Sequence, residues 1–554
     1  MDALKVPDDV LLEIFDIYMI MNSSHGGQTG SVAWQSLVHV CRRWRSLVFL
    51  SPRRLNLRLF CTPKTPARDK LDIWPTLPLL IGGLMTLTSG TDNVIAALEQ
   101  SDRVCEVILH PAGRQLEEVL TTMQVPFPEL TDLRLFPHGA REALPVVPVP
   151  DSFLGGSAPR LRHFELSGIP FPGLPKLLWS ATHLVYLRLI NIPHSGYISP
   201  KAMVALLSTL SSLETLILEF RSPQSRPHRE TRRSPSSKRS VIPALKFFLF
   251  KGVIEYLEDL VTFIDAPQLN ILNITFFNQI DFDTPRLARF IDRTPKFKKR
   301  EAQVEFDDGT ASITLRYRTS KMIIGDLLIN ISCGEPDWQL SSIAQICNSS
   351  LPPLSTVEDL YIDHDYLQLI WKDDAIENTL WLELLLPFTV VKNLYLSKEF
   401  APGIAAALQE LAGVRITEVL PSLQNIFVEG LEPSGPFQEN IGKFVIARQL
   451  SGHPVAISVR VRNDPVWIQE EEEEESALSC MHSTSAPIGR EADIVVCAQR
   501  RNCGQNWRAM FWVYTNLELP PSSDFSLFRS PSVSAKAKVT PRAQTQRGSG
   551  STRV

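Results

Sequence analysis

A histidine flanked by carboxylates is a pairing from which general acid–base chemistry is built. The chain has one tight instance, His364 between Asp363 and Asp365. A surface turn after a strand accounts for it better than a catalytic dyad. The other histidines are dispersed, and no Walker-type loop, G-x-G-x-x-G, H-E-x-x-H or G-x-S-x-G motif is present. Eight cysteines are scattered from Cys41 to Cys503 without paired metal spacing. The nearest pair, Cys497 and Cys503, has no His or Cys beside it to complete a zinc set. The expectation is a protein without catalytic residues, metal or cofactor, and not an enzyme. An enzymatic alternative survives only as an unrecognised site in the 275–356 region.

The remaining chemistry is that of binding. Tyr186, Arg188, Tyr361, Tyr395 and Phe427 stand beside charged residues at alternating positions of short apolar segments. Exposed aromatics next to charges are the residue types that anchor protein interfaces. The same alternating set includes Asp132, Arg134, His163, Glu165, Phe247, Asp359, Asn393 and Asn425.

The segments that position them recur. The form apolar-x-x-apolar-x-apolar appears at Leu130–Leu135, Leu161–Leu166, Leu184–Leu189, Leu213–Leu218, Leu245–Phe250 and Leu269–Ile274. It returns at Val357–Ile362, Val391–Leu396 and Leu423–Val428, with Val104–Leu109 as a plausible first copy. Most intervals fall between 23 and 34 residues, the range of leucine-rich repeats with a helix in each unit. Helical segments lie between the strands, among them 93–99, 115–120, 203–207, 256–261 and 405–411. A proline often precedes the next strand, as in Phe127-Pro128-Glu129-Leu130. Stacked units of this kind make a solenoid with helices outside and a parallel sheet lining a concave side. The apolar positions face the core and the alternating positions face the concave side.

The pattern is irregular. The Asn or Cys that follows each strand in regular repeats is mostly missing, so no asparagine ladder is expected at the turns. The interval from Leu269 to Val357 is too long for one unit; it reads as one or two degenerate repeats, with a helix from Trp338 to Ile346. A doubly wound α/β domain also alternates strands and helices, but it rarely needs nine or more strands, and no nucleotide fingerprint is present.

Two segments interrupt the repeats. Residues 221–240 carry seven Lys or Arg against one Glu and no aliphatic residue before position 241, and read as a disordered basic insertion. It is a solvated insertion, a phosphorylation target or a nuclear import signal. Six consecutive glutamates, Glu470 to Glu475, repel one another and mark the end of the folded region. Residues 466–554 are expected to be mostly disordered, with Ala509–Leu517 a candidate short strand.

The N-terminus is patterned differently. Pro7 suits the first position of a helix, and Asp8 and Asp9 suit its first turn. Val10, Leu11, Ile14, Phe15 and Tyr18 follow at helical spacing. Asn22 to Ser31, with three Gly and three Ser, reads as a loop. A second amphipathic helix runs through Trp34, Leu37, Cys41, Trp44 and Val48 until Pro52. Two helices this short cannot be stable alone and must pack on the rest of the chain or on a partner.

The Leu4-Lys5-Val6-Pro7 start, the paired aliphatics behind it and the Val40-Cys41-Arg42-Arg43-Trp44 block together resemble an F-box. With the repeats, residues 1–465 resemble the F-box proteins with leucine-rich repeats, particularly the F-box-like set of mushroom-forming fungi. The loop between the helices is longer and richer in glycine than in compact F-boxes. The resemblance implies an α/β protein: a helical F-box over residues 1–60, then an irregular leucine-rich-repeat solenoid over 61–465. It implies that Leu4, Pro7, Val10, Leu11, Ile14, Phe15, Leu37, Val40, Cys41 and Trp44 face a Skp-type adaptor or form the hairpin core. Through that adaptor the chain would join a cullin–RING ubiquitin ligase and hold a protein substrate on its concave face. A scaffold outside ubiquitination remains the alternative.

Composition sets the frame. The 554 residues are 44% hydrophobic and 21% charged, with a net charge of −4. That balance describes a folded protein with no global signature for nucleic acid or membrane. The most apolar run, Leu77 to Thr88, is too short to span a bilayer. Charged residues interrupt any N-terminal signal peptide. Cytoplasmic or nuclear residence with reduced cysteines is expected.

Overall fold

The computed structural model describes residues 6–23, 33–85, 90–138, 147–223, 239–277, 282–307, 309–316, 326–333, 336–364, 378–411, 414–429 and 436–460. Contacts divide the chain into Met1–Ser485 and Ala486–Val554. Every described residue belongs to the first unit. Leu4, Asp365, residues 224–238 of the basic insertion, the glutamate run, Ala509–Leu517 and the pair Cys497 and Cys503 lie outside the described residues.

Three short helices open the chain, where the sequence suggests two. They are α1 (Asp8–Ser23), α2 (Ala33–Val38) and α3 (Arg42–Leu50). The second amphipathic pattern breaks at Cys41, whose extended backbone (φ −157°, ψ 170°) makes it an N-cap. The Trp44 amide donates to Cys41 Sγ at 3.5 Å. Arg45 Nε donates to the Val38 carbonyl at 2.9 Å, covering an acceptor that the end of α2 leaves over. Helix α1 begins one residue later than expected; the Pro7 carbonyl accepts from the Leu11 amide at 3.0 Å.

The sheet contains sixteen strands. In chain order the strands are β1 (Leu59–Cys61), β2 (Leu79–Leu84), β3 (Val104–His110), β4 (Asp132–Leu135), β5 (His163–Ser167), β6 (Tyr186–Ile192) and β7 (Thr215–Phe220). Next come β8 (Ser240–Val241), β9 (Phe247–Gly252), β10 (Ile264–Asp265), β11 (Ile271–Phe277), β12 (Glu301–Asp307), β13 (Thr310–Arg316) and β14 (Leu327–Ser332). The last four are β15 (Asp359–His364), β16 (Asn393–Leu396), β17 (Asn425–Glu429) and β18 (Ala456–Arg460). The large sheet runs β1-β2-β3-β4-β5-β6-β7-β9-β11-β14-β13-β12-β15-β16-β17-β18. Strands β8 and β10 form a separate parallel pair.

Every expected repeat strand is present, and neighbours are parallel and in register. Leu133, Phe164, Leu187, Leu216, Phe248 and Leu272 stand opposite one another across six strands. All six are fully buried. Each such side chain contributes about 1.5–3 kcal/mol by leaving water. The expected helices are also present, including α5 (Thr91–Leu98), α6 (Gly113–Thr122), α8 (Pro200–Leu207), α9 (Ile254–Thr262) and α13 (Ala401–Gln409), with α4 (Ala67–Lys70) and α7 (Leu174–Leu178) before α5 and α8. A mixed α/β chain with a long parallel sheet and a helix in most units fits a leucine-rich-repeat-like solenoid.

The 275–356 region departs from the expectation of one or two degenerate repeats. After α10 (Pro285–Asp292) the chain passes over two strand positions to β12, then turns back. Strand β13 is antiparallel to both β12 and β14, while β14 is parallel to β11 and β12 to β15. Asp307 pairs with Thr310, so the two strands are separated by two residues of sequence, the connection length favoured in hairpins. Strand β12 alternates Ala302, Val304 and Phe306 into the core, a period-two signal without the repeat's opening leucine. The expected helix lies within α11 (Pro336–Ser350), and α12 (Asn378–Leu385) follows β15.

Strands β1 and β2 add two units before the first expected one, so the sheet begins within the segment assigned to the N-terminal helices. Strand β18 adds one at the other end. At the basic insertion, Ser240 is in β8, and Arg239 approaches Asp265 at 3.9 Å. The insertion is therefore shorter than 221–240. Cys41, Cys61, Cys105, Cys333 and Cys347 carry no disulfide. No described helix is long and apolar enough to cross a membrane.

Candidate interaction surface

The N-terminal residues divide into two groups. Leu11, Phe15 and Leu37 are buried, and Phe15 meets the half-buried Trp44 edge to face at 4.8 Å. These residues form the core of the three helices. Trp34 Nε1 donates to the Arg58 carbonyl at 2.8 Å, tying α2 to the segment entering β1. Arg43 Nε donates to Asp8 at 3.0 Å, and Arg54 pairs with Glu13, joining α1 to the segments behind it. Val10, Ile14 and Val40 remain 43%, 47% and 59% exposed, so they are free of the hairpin core. Ile17, not singled out from the sequence, is 56% exposed and extends the Val10–Ile14 stripe at i, i+4, i+7. Pro7 is exposed at the start of α1, and Cys41 is held by its capping role.

The sheet face away from the apolar rows carries the expected binding residues. On β3 to β6 it is ionic. Arg58 reaches Glu106 at 3.5 Å. Arg134 grips Asp132 with two bonds of 2.9 and 2.7 Å. His163 Nδ1 is 3.6 Å from Asp132, and Arg188 meets Glu165 at 2.6 Å. Asp132 and Glu165 are buried, which moves them from contact residues to supports for the cations. Burial pushes the Glu165 carboxyl up against the pull of Arg188, and pushes Glu106 up with help from Asp132. Burial also lowers His163 despite Asp132, while the Tyr186 phenol is pushed up to about 12 by burial and Glu165.

On β15 to β17 the face is aromatic. Tyr361, Tyr395 and Phe427 are in register. Their rings stack at 4.2 and 4.7 Å, tilted by 5° and 12°. That spacing follows from the separation of hydrogen-bonded strands, about 4.7–4.9 Å. Arg316 of β13 lies over the Tyr361 ring at 5.4 Å and pairs with Glu301 of β12 at 3.8 Å. One row along, Asn393 donates to Asp359 at 2.6 Å and Asn425 donates to Asn393 at 2.8 Å. Side-chain amide bonds therefore link β15, β16 and β17 on the open face. Glu301 and Arg316 escaped the sequence reading because their strands lack the repeat signature.

The five expected partner residues thus fall into two places. Tyr186 and Arg188 belong to the ionic end, and Tyr361, Tyr395 and Phe427 to the aromatic end. All five are half-buried. His364 ends β15, with Nε2 3.5 Å from Glu399, and Asp363 accepts its own chain's amide at 2.8 Å. Among the described residues no group of three metal-ligating side chains converges.

No family model and no curated protein matches this sequence. Among solved structures, the leucine-rich repeat-containing protein LegL7 from Legionella pneumophila is similar at 14% identity, covering 72% of this chain and 98% of that one, with a TM-score of 0.23. The repeat architecture described above rests on this chain's own strand order and register.

Proposed function

We propose that the chain is a repeat-based interaction scaffold that serves as the substrate-recognition subunit of an SCF-type ubiquitin ligase. Helix α1 carries this reading. It buries Leu11 and Phe15 while leaving Val10, Ile14 and Ile17 exposed on a second stripe. A helix apolar on two sides has more apolar surface than its own fold uses, and a partner helix or groove would cover the rest. The F-box resemblance names that partner as a Skp-type adaptor, and through it the cullin–RING scaffold. The open sheet face would hold a protein substrate, so that proximity to the activated ubiquitin raises the effective concentration of a substrate lysine. In this role the chain has no catalytic residue, metal or cofactor of its own, binds neither nucleic acid nor membrane, and works in cytoplasm or nucleus.

The second reading is a scaffold outside ubiquitination, whose helices only cap β1. The Trp34–Arg58 bond favours it, because it shows the helices tied to the sheet. A pull-down with the tagged full-length chain separates the two. Recovery of the Skp-type adaptor together with the cullin supports the ligase subunit. Absence of the adaptor, with the chain folded by circular dichroism, leaves the scaffold.

A further inference from the structure

Between its ionic and aromatic ends the open face turns apolar. Strand β9 reads Phe247-Phe248-Leu249-Phe250, a continuous apolar run of the kind found in strands covered on both sides. Phe248 and Phe250 are fully buried in the core. Phe247 and Leu249 take the other face and stay partly exposed. Register places Ile271 of β11 directly opposite Phe247, and Ile217 of β7 directly opposite Leu249. Leu328 of β14 stands on the far side of Asn273 from Leu249. Ile217 is buried and makes the floor, while Ile271 and Leu328 are partly exposed. From β7 to β14 the patch is about 14 Å across and about 7 Å along the strands, room for two large apolar side chains. Three polar groups on it are unpartnered among the described residues. Asn273, in the middle, makes no side-chain hydrogen bond. Glu219 of β7 and Lys251 of β9 stand directly opposite one another at the rim without an ion pair.

We propose that this patch binds an extended peptide segment of a protein partner, with two large apolar side chains laid on Phe247, Leu249, Ile271 and Leu328 and a main-chain peptide group paired with the Asn273 amide. The inference rests on the open face being the partner-binding surface, and specifies which part of it holds the partner and by what chemistry. An asparagine side chain offers a donor and an acceptor together, the complement of one peptide group. An extended segment has such groups to spare, whereas a helix has bonded its own and an acyl chain has none. Glu219 and Lys251 add one carboxylate and one ammonium, each open to an opposite charge beside the segment's apolar residues. The chain's own insertion at 221–240, which leaves from the end of β7, has no aliphatic residue with which to cover the patch.

The test is a selection of random displayed peptides of about ten residues, roughly 33 Å when extended, on the immobilised full-length chain. The recovered peptides should be enriched in leucine, isoleucine, phenylalanine or methionine, and a labelled synthetic copy of the strongest should bind in fluorescence anisotropy. Leu249→Asp sets a carboxylate under the apolar side chains and should reduce its affinity by about tenfold or more. Asn273→Ala removes a partly exposed side chain with no bonds of its own, should reduce affinity roughly three- to tenfold, and keeps the test valid if the aspartate variant misfolds. Recovered peptides without apolar enrichment, or affinity unchanged in both variants, would overturn the proposal. So would the recovery of no peptide, the outcome if a loop of this chain or a second copy already fills the patch. The same preparations titrated with Skp-type adaptor distinguish the two readings. Adaptor binding without apolar peptides removes only this inference, and apolar peptides without adaptor binding remove only the ligase role.

Discussion

Replacing Tyr395 by alanine opens the middle of the aromatic stack, and the structure sets the size of the effect. Tyr395 touches Tyr361 on one side at 4.2 Å and Phe427 on the other at 4.7 Å. Aromatic pairs are worth about 0.5–1.5 kcal/mol beyond burial, and nearly face-to-face pairs belong at the low end. Two pairs therefore contribute about 1 kcal/mol. The ring is half-buried, so its lost burial adds about 1 kcal/mol, half of a fully buried side chain. The expected loss is about 2 kcal/mol for Tyr395→Ala. Tyr395→Phe retains the ring and should lose less than about 0.5 kcal/mol. Urea denaturation of the full-length chain gives the midpoint, and hydrogen exchange at β15 to β17 shows whether the loss is local, as expected where repeats contact only neighbours. Equal losses for alanine and phenylalanine, or an alanine loss below about 0.5 kcal/mol, would refute the idea that the rings support one another.

Other outcomes follow from the same geometry. Phe15→Ala removes a fully buried ring and should cost about 3–5 kcal/mol, enough to melt the three helices in a proteolysis assay while the repeats stay resistant. His163 and His110 are lowered by burial, so between their folded values and the ordinary value of 6.5 the unfolded chain binds more protons. Stability therefore rises with pH through that window and is lost as pH falls below 6.5. The melting temperature should be lower at pH 5 than at pH 7 on this account, and His163→Asn should flatten the difference. Arg448, in α14 (Pro436–Leu450), is fully buried and donates to the carbonyls of Ile416, Pro421 and Leu423. Arg448→Lys cannot span all three and should cost about 1.5–3 kcal/mol, seen as faster exchange at β18.

The repeat strands were legible because leucine at three fixed offsets gives both period and face. Leu130, Leu133 and Leu135 already say which side of β4 is core. Strands β12 and β13 lack that opening leucine, so a hairpin that reverses direction read as worn repeats. Its signals, the Ala302-Val304-Phe306 alternation and Asp308-Gly309, are generic to any hairpin. The open-face residues could be enumerated from alternation, but their partners could not. Arg134 grips its own strand's Asp132, while Arg316 reaches Tyr361 only because β13 and β12 are folded between β14 and β15. At the N-terminus, helical spacing found Leu11 and Phe15 together with Val10 and Ile14. Only packing could separate the buried pair from the exposed pair, and only cap geometry at Cys41 could divide the second helix.

The central claim is that the exposed stripe of α1 docks a Skp-type adaptor, and calorimetric titration of the full-length chain with that purified adaptor tests it most directly. The account expects saturable one-to-one binding. Val10→Ser with Ile14→Ser should weaken it about 30-fold, since two half-exposed aliphatics burying the rest of their surface contribute about 1 kcal/mol each. The melting temperature should not change. No heat of binding at adaptor concentrations of about 100 μM, or undiminished binding by the double variant, would contradict it.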